Sequence, residues 1–90
     1  MKRIRVLVVD DHLHAREAVR DILQAAPEFE IVAEATCAEE AIVLTEQHMP
    51  DLILMDIKLP GIDGLEATKR IKARFPYVKI VMMTVSDEVT

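Results

Sequence analysis

The sequence lacks three features that would place a protein in a well-defined class at once. It has one cysteine, Cys37, so it offers neither a disulfide partner nor a thiolate cluster for zinc, and we interpret Cys37 as a small buried or half-buried side chain. Positive charge is in deficit, with 11 Lys and Arg against 16 Asp and Glu and a net charge of −5, which argues against direct nucleic-acid binding by this segment. The apolar run from Ile4 to Val9 contains Arg5 and is too short for a signal or membrane segment. We therefore expect a cytoplasmic protein with no membrane contact.

Four short apolar segments predict the β-strands of a single domain that spans residues 1–90. The chain is 51% hydrophobic and 30% charged, as expected for one small globular core. The predicted strands are Ile4 to Val9, Phe29 to Ala35, Leu52 to Met55 and Val78 to Met83. Three of them are almost continuously apolar, which is typical of parallel strands that helices cover on both faces.

Between the strands, apolar residues recur with the spacing of helices. The predicted stripes are Ala15, Val19, Ile22 and Ala26; Ala38, Ile42, Thr45 and Met49; and Leu65, Thr68, Ile71 and Phe75. A proline follows each stripe and ends it, and Ser86 is predicted to cap a fourth helix. Alternating strands and helices with short connections predict an α/β fold with a parallel sheet, in which ligands bind beyond the carboxyl ends of the strands.

Carboxylates stand at two of these strand ends. Asp10 and Asp11 follow the first strand and Asp56 follows the third. An isolated Asp-Asp pair could simply cap the helix that begins near Leu13 and carry a solvated charge. If the two strands are neighbours, however, three carboxylates converge, and two of them 4 Å apart repel by roughly 4 kcal/mol at an effective dielectric of 20. Oxygen ligands then favour a hard cation, with Mg²⁺ as the best candidate, and phosphoryl-transfer chemistry.

Other polar residues surround this predicted pocket. Pro60-Gly61 reads as a turn, Asp63 is placed to cap the third helix, and the backbone carbonyl near Lys58 is available to a cation. Thr84 follows the fourth strand, and its hydroxyl either donates a hydrogen bond to a phosphoryl oxygen or is satisfied locally.

The histidines and methionines of the chain offer weaker signals. His12 adjoins the acidic pair and could line the mouth of the pocket, whereas His14 and His48 fit exposed helix positions. Met55, Met82 and Met83 are interpreted as core residues.

The motifs VLVVDDH, DLILMDIKLPGIDGLEAT and IVMMTVS, in this order and spacing, resemble the receiver domains of bacterial two-component response regulators. The similarity covers the entire chain. It is greatest to the type that usually precedes a helix-turn-helix DNA-binding output domain, so the resemblance implies a role in transcription regulation. The fold that it implies is flavodoxin-like, a three-layer parallel sheet with strand order 2-1-3-4.

The same resemblance implies the roles of the site residues. Asp56 would accept a phosphoryl group from a sensor histidine kinase, and Asp11, Asp56 and the backbone carbonyl of Lys58 would bind Mg²⁺. Asp10 would hold the metal through water or position Asp11, and Thr84 would be the switch hydroxyl. The domain would be a phosphoacceptor that assists its own modification. It would not be an enzyme that acts on other substrates.

The chain departs from the family pattern at its end. The family places an essential lysine after a fifth strand, followed by a last helix, and this sequence has no lysine after Lys79. We therefore expect a C-terminally incomplete receiver that is phosphorylated poorly or not at all. The apolar fourth strand would be an uncovered sheet edge that recruits a homodimer, a strand-swapped assembly or a partner segment.

Two other functions compete with this interpretation. One is a Mg²⁺-dependent phosphatase with an aspartyl nucleophile, although such enzymes need a second acid where this chain has Lys58. The other is an interaction module that has lost its switch.

Overall fold

Residues 2–83 are described by a computed structural model of the chain. They form four strands and three helices in strict alternation. The elements are β1 (Ile4–Val9), α1 (Leu13–Gln24), β2 (Phe29–Ala35), α2 (Ala38–His48), β3 (Leu52–Asp56), α3 (Gly64–Arg74) and β4 (Lys79–Met83). The predictions for Thr84 and Ser86 lie outside the described residues.

The four strands form one parallel sheet in the order β2-β1-β3-β4. The register pairs Val9 with Met55 across β1 and β3, and Asp56 with Met83 across β3 and β4. The predicted parallel α/β fold with strand order 2-1-3-4 is confirmed. Both predicted bounds of β1 and β2 are also correct, whereas β3 extends one residue further and includes Asp56, and β4 begins at Lys79 instead of Val78.

Helices cover both faces of the sheet, because β1 is apolar on both sides. Leu7 and Val9 point to the face that α2 and α3 cover, where Ile53, Met55 and Ile71 complete the larger core. Val6 and Val8 point to the opposite face, where they pack with Val19 of α1. Burial on both sides explains why the strands read as continuous apolar runs.

Three residues of the predicted helix stripes were placed on the wrong face. Ile22, Met49 and Leu65 are 68%, 54% and 61% exposed. Four residues of the predicted stripes are buried as expected: Val19, Ala38, Thr45 and Ile71. The helices also bury Ala41, Gly64 and Ala67, which the stripes did not include. In α2 and α3 the buried faces include small residues, Ala41 and Ala67, so the positions of the large apolar side chains did not identify those faces.

The predictions for the methionines and for Cys37 are confirmed. Met55 is fully buried, and Met82 and Met83 pack at the edges of the two core clusters, as expected of core residues. Cys37 is half-buried. Among residues 2–83, no helix has both the length and the apolar character that a membrane crossing requires.

Candidate functional site

The acidic residues meet at the carboxyl edge of the sheet because β1 and β3 are adjacent. Asp10 directly follows β1, and Asp56 is the last residue of β3. One ligand atom from each of Asp10, Asp11, His12 and Asp56 can be chosen so that all four lie within 4.8 Å of one another. The strand ends therefore bring the three predicted carboxylates together, and they bring a histidine with them.

Asp10 is fully buried and is fixed mainly through its backbone and one carboxylate oxygen. Its N–H donates to the carbonyl of Ala35 at 3.0 Å, which extends the β1–β2 ladder by one bond. Oδ1 accepts a hydrogen bond from the backbone N–H of His12 at 2.9 Å. Oδ2 is buried and has no hydrogen-bond partner within residues 2–83. A buried carboxylate oxygen without a donor is costly, so this atom needs a cation or a water.

Asp56 is 3% exposed, and the one hydrogen bond that its carboxylate accepts within residues 2–83 is a long one, 3.4 Å, from the backbone N–H of Lys58. Burial raises the pKa of its carboxyl, and the negative charges of Asp10 and Asp11 raise it further. The Lys58 N–H and the imidazole of His12 oppose that rise in pKa. The carboxyl group therefore lies where a positive ion would favour its charged form.

His12 contributes more to the cluster than the sequence predicts. Its Nδ1 lies 3.1 Å from Oδ1 of Asp10 and 3.2 Å from Oδ1 of Asp11, although 64% of its side chain is exposed. The hydrogen bond to Asp10, followed by the charge of Asp11, raises the pKa of the imidazole. His14, by contrast, is 97% exposed and lies 3.5 Å from Glu17, which agrees with its predicted exposed helix position.

The prediction that Asp10 or Asp11 could cap α1 is wrong. The residue at the N-cap of α1 is His12, and no side-chain hydrogen bond caps this helix. Asp10 Oδ1 instead bonds the N–H of His12 itself, which folds the chain back over the end of β1. The carboxylates thus face the pocket and not the first turn of the helix.

The loop between β3 and α3 is built as the sequence predicts. Asp63 caps α3 by accepting a hydrogen bond from the N–H of Glu66 at 2.9 Å. Gly61 has a φ of 75°, a left-handed conformation that favours glycine. Lys58 is exposed on the rim of the pocket, and its proposed carbonyl ligand stays a prediction.

A cationic pair behind the pocket went unrecognised in the sequence. Arg16 donates to the backbone carbonyl of Asp10 at 2.8 Å and to Glu34 at 3.1 Å. Arg20 donates to the same carboxylate at 2.9 Å through both Nε and Nη2. The four-residue spacing of the two arginines shows that they share a face of α1. It does not identify their shared partner, Glu34, which lies 14 to 18 positions away in the sequence.

The residues present fit a hard divalent cation. The buried Oδ2 of Asp10 has no donor within residues 2–83, and carboxylate oxygens of Asp11 and Asp56 lie close to the same point. A set of ionised carboxylates at this spacing requires a positive charge, and oxygen donors suit Mg²⁺. The fit rests on the chemistry and spacing of these donor atoms.

Comparison with known proteins identifies the family. The family described as the response regulator receiver domain matches residues 6–90, so this chain belongs to it. The chain is 42% identical over 86 residues to the transcriptional regulatory protein DegU of Brevibacillus brevis, an overlap of 96% of this chain and 36% of DegU. It is 44% identical over 85 residues to the response regulator UvrY of Escherichia coli, which covers 94% of this chain and 39% of UvrY.

Solved structures agree with the fold. A two-component response regulator of the LuxR family from an Aurantimonas species superposes with a TM-score of 0.88 at 36% identity, covering 96% of this chain and 61% of that chain. The response regulator domain of Thermotoga maritima CheB gives a TM-score of 0.84 at 32% identity, covering 99% and 66%. The fold is therefore the flavodoxin-like fold of receiver domains, which are signalling modules. The chain spans about two fifths or less of the curated relatives cited above.

Proposed function

We propose that this chain is a phosphoacceptor and that Asp56 receives the phosphoryl group from a sensor histidine kinase. The observation that carries the proposal is the buried carboxylate of Asp56, within 4.8 Å of ligand atoms of Asp10 and Asp11 at one sheet edge. Its neighbours on the strand are apolar core residues, so burial of this acid serves no packing purpose. A buried carboxyl group whose pKa is raised by burial and by neighbouring negative charges, as that of Asp56 is, is characteristic of a functional site.

In the proposed reaction an oxygen of Asp56 attacks the phosphorus atom of a phosphohistidine. The new O–P bond forms as the P–N bond breaks, and the electron pair returns to the imidazole nitrogen of the kinase. Asp56 must be ionised to attack. The N–H of Lys58 favours that form, whereas burial of the carboxyl opposes it.

Mg²⁺ would be held by Asp11, Asp56 and the backbone carbonyl of Lys58, with Asp10 acting directly or through water. When bound, the ion would neutralise negative charge on the acidic cluster and on the incoming phosphoryl oxygens. Asp10 would contribute its Oδ2, the oxygen with no hydrogen-bond donor in the described part of the chain. Arg16 would keep Asp10 in place through the 2.8 Å bond to its carbonyl.

Phosphorylation would replace the single negative charge of the Asp56 carboxylate by a charge of about −1.5 to −2 on the phosphoryl group at neutral pH. We propose Thr84 as the hydroxyl that responds by donating to a phosphoryl oxygen, which would couple the modification to the segment after β4. In the whole protein this would control a DNA-binding output domain and hence transcription, in line with the regulators that the chain resembles. The phosphatase alternative is not favoured, because an exposed lysine, Lys58, stands where a second acid is needed.

The experiment is phosphorylation of the 90-residue chain by acetyl phosphate with and without Mg²⁺, followed by borohydride trapping and mass spectrometry. We expect Mg²⁺-dependent label at Asp56 in low yield, which Asp56→Asn removes and Asp63→Asn leaves in place. Asp63 is the matched control because it is an exposed carboxylate in the same loop, and asparagine also caps helices well. No label in the presence of Mg²⁺, or label that persists in Asp56→Asn, would contradict the proposal.

A further inference from the structure

We infer that His12 is a fourth ligand of the proposed cation site and that its nitrogen makes the site prefer divalent transition ions over Mg²⁺. The inference rests on the proposed cation site and concerns which ions the site takes. It is carried by the position of Nδ1, which lies among the carboxylate oxygens of the cluster and not on the surface of α1.

The distances around Nδ1 are those of its hydrogen bond with Asp10 and its ion pair with Asp11, and they also equal the spacing of adjacent ligands of one ion. Nδ1 is 3.1 Å from Oδ1 of Asp10 and 3.2 Å from Oδ1 of Asp11. Two neighbouring ligands of an octahedral ion with bonds of 2.0–2.1 Å are about 3 Å apart. An ion bound by Asp10 and Asp11 would therefore find the ring nitrogen already at the spacing of an adjacent ligand.

The backbone holds His12 in this place. Its N–H donates to Oδ1 of Asp10 at 2.9 Å, and its φ of −101° and ψ of 121° set the turn from β1 into α1. The side chain is 64% exposed, so the ring has room to turn toward an ion. His12 thus combines a fixed backbone with an accessible ring.

A second observation is that one buried carboxylate oxygen of the cluster has no hydrogen-bond partner in the described part of the chain. Asp10 is 0% exposed and its Oδ2 has no hydrogen-bond partner within residues 2–83. The contacts of His12 involve Oδ1 and leave Oδ2 unsatisfied.

The chemistry of the donor atoms decides which divalent ions the site prefers. Carboxylates and water suit Mg²⁺, whereas an imidazole nitrogen adds affinity for ions such as Co²⁺, Ni²⁺ and Zn²⁺. Three carboxylates and one imidazole therefore form a mixed site that binds Mg²⁺ through oxygen alone and binds the transition ions through oxygen and nitrogen.

The test uses Co²⁺ and Mg²⁺ as probes of the 90-residue chain, with His12→Asn and the control His14→Asn. Affinities are measured by calorimetry at a pH above the pKa of the imidazole. Proton NMR of the Co²⁺ form then looks for a hyperfine-shifted, exchangeable imidazole N–H. His14 is the matched control because it lies two positions away and its side chain is 97% exposed.

We expect the shifted N–H resonance in the parent chain and in His14→Asn, and its loss in His12→Asn. The His12→Asn change should weaken Co²⁺ binding about tenfold or more, by analogy with the cost of altering groups around a metal. Mg²⁺ binding should change less than about twofold, because this ion gains little from nitrogen.

Two outcomes would overturn the inference and leave the proposed function intact. In the first, both ions bind to the parent chain but the Co²⁺ form shows no shifted imidazole resonance. In the second, His12→Asn binds Co²⁺ at least as tightly as the parent chain does, which would mean that the ring competes with the ion for the carboxylates. If neither ion binds to the parent chain, the cation site itself is refuted, together with this inference.

Discussion

Gly64 packs directly against the backbone of Asp56, the proposed phosphoacceptor. A Cβ atom at Gly64 would overlap the carbonyl oxygen of Asp56 and lie 2.8 Å from Cε of Met82. The backbone N–H of Gly64 also donates to the carbonyl of Ile57 at 2.9 Å. The first residue of α3 therefore sets the position of the strand end that carries the acid.

Replacing Gly64 by alanine should destabilise the fold and displace this strand end. We expect the free energy of unfolding to fall by about 2 to 3 kcal/mol, because the methyl group meets backbone that cannot yield cheaply. Urea unfolding followed by circular dichroism measures the loss.

Gly61→Ala is the control for the Gly64 substitution. A Cβ atom at Gly61 meets nothing within 4 Å, so only the φ of +75° opposes the change. That conformation costs an alanine about 1 kcal/mol. A loss at Gly64 no larger than the loss at Gly61 would contradict the close packing against Asp56.

Arg16 is expected to stabilise the site through its hydrogen bond to the backbone carbonyl of Asp10. The Arg16→Gln change removes the bond to the Asp10 carbonyl and one partner of Glu34, and Arg16 is only 15% exposed. We predict a loss of about 1 to 2 kcal/mol in the free energy of unfolding, since charged hydrogen bonds in partly buried places are worth this much.

A surface ion pair provides the comparison for Arg16. Arg70 pairs with Glu66 at 3.2 Å on α3, but both side chains are about half exposed. Arg70→Gln should therefore cost less than about 0.5 kcal/mol in the same unfolding assay. Equal effects of the two substitutions would mean that Arg16 is an ordinary surface residue.

The sequence predicted those parts of the molecule that depend on chain order. The bounds of β1 and β2 followed from apolar runs, and the meeting of Asp10 with Asp56 followed from the shared edge of parallel strands. The roles of these residues in phosphorylation stay a prediction. Asp63 as the cap of α3 was recognisable because capping is a local interaction.

Other features depend on distances that the sequence does not contain. The contact of Arg16 with the Asp10 carbonyl and the place of His12 among the carboxylates require the side-chain conformations of the folded chain. The exposure of Ile22 and Leu65 was missed for a related reason. Helical periodicity identifies possible faces, but packing in the folded chain decides which of them is buried.

The charge of Asp56 should reduce stability at neutral pH when no cation is present. Two unit charges 4.8 Å apart repel by about 3.5 kcal/mol at an effective dielectric of 20, and the cluster holds its ligand atoms within that distance. His12 and solvent offset part of this repulsion. We therefore expect Asp56→Asn to raise the free energy of unfolding by about 1 to 2 kcal/mol.

The effect of Asp56→Asn should depend on pH in a defined direction. Burial raises the pKa of Asp56, so between the ordinary and the raised pKa the native state holds more protons than the unfolded chain. The free energy of unfolding of the parent then falls as the pH rises through this window and stays lower above it. The advantage of Asp56→Asn should appear above the raised pKa and vanish below the ordinary one.

Urea unfolding at a series of pH values, without divalent ions, measures the Asp56 prediction. Asp63→Asn is the control, because it removes an exposed carboxylate of the same loop. A parent chain as stable as Asp56→Asn at neutral pH would show that the cluster carries no unrelieved repulsion.

The outer edge of β4 is expected to mediate self-association of the 90-residue chain. Within residues 2–83, β4 pairs only with β3, and its Val81 is 49% exposed. Unpaired strand edges with apolar side chains recruit further strands, and a lysine on such an edge opposes this. Val81→Lys should weaken association by roughly 1 kcal/mol, about a fivefold change in Kd, because two copies paired through β4 would bring like charges together.

Sedimentation velocity over a range of concentrations tests the role of this edge. Val43→Lys is the matched control, since Val43 is 52% exposed but lies on α2, away from the sheet edge. The parent and the Val43 variant should associate with increasing concentration, and the Val81 variant should do so less. Association that responds equally to both lysines would place the contact elsewhere, and a monomeric parent at every concentration would refute it altogether.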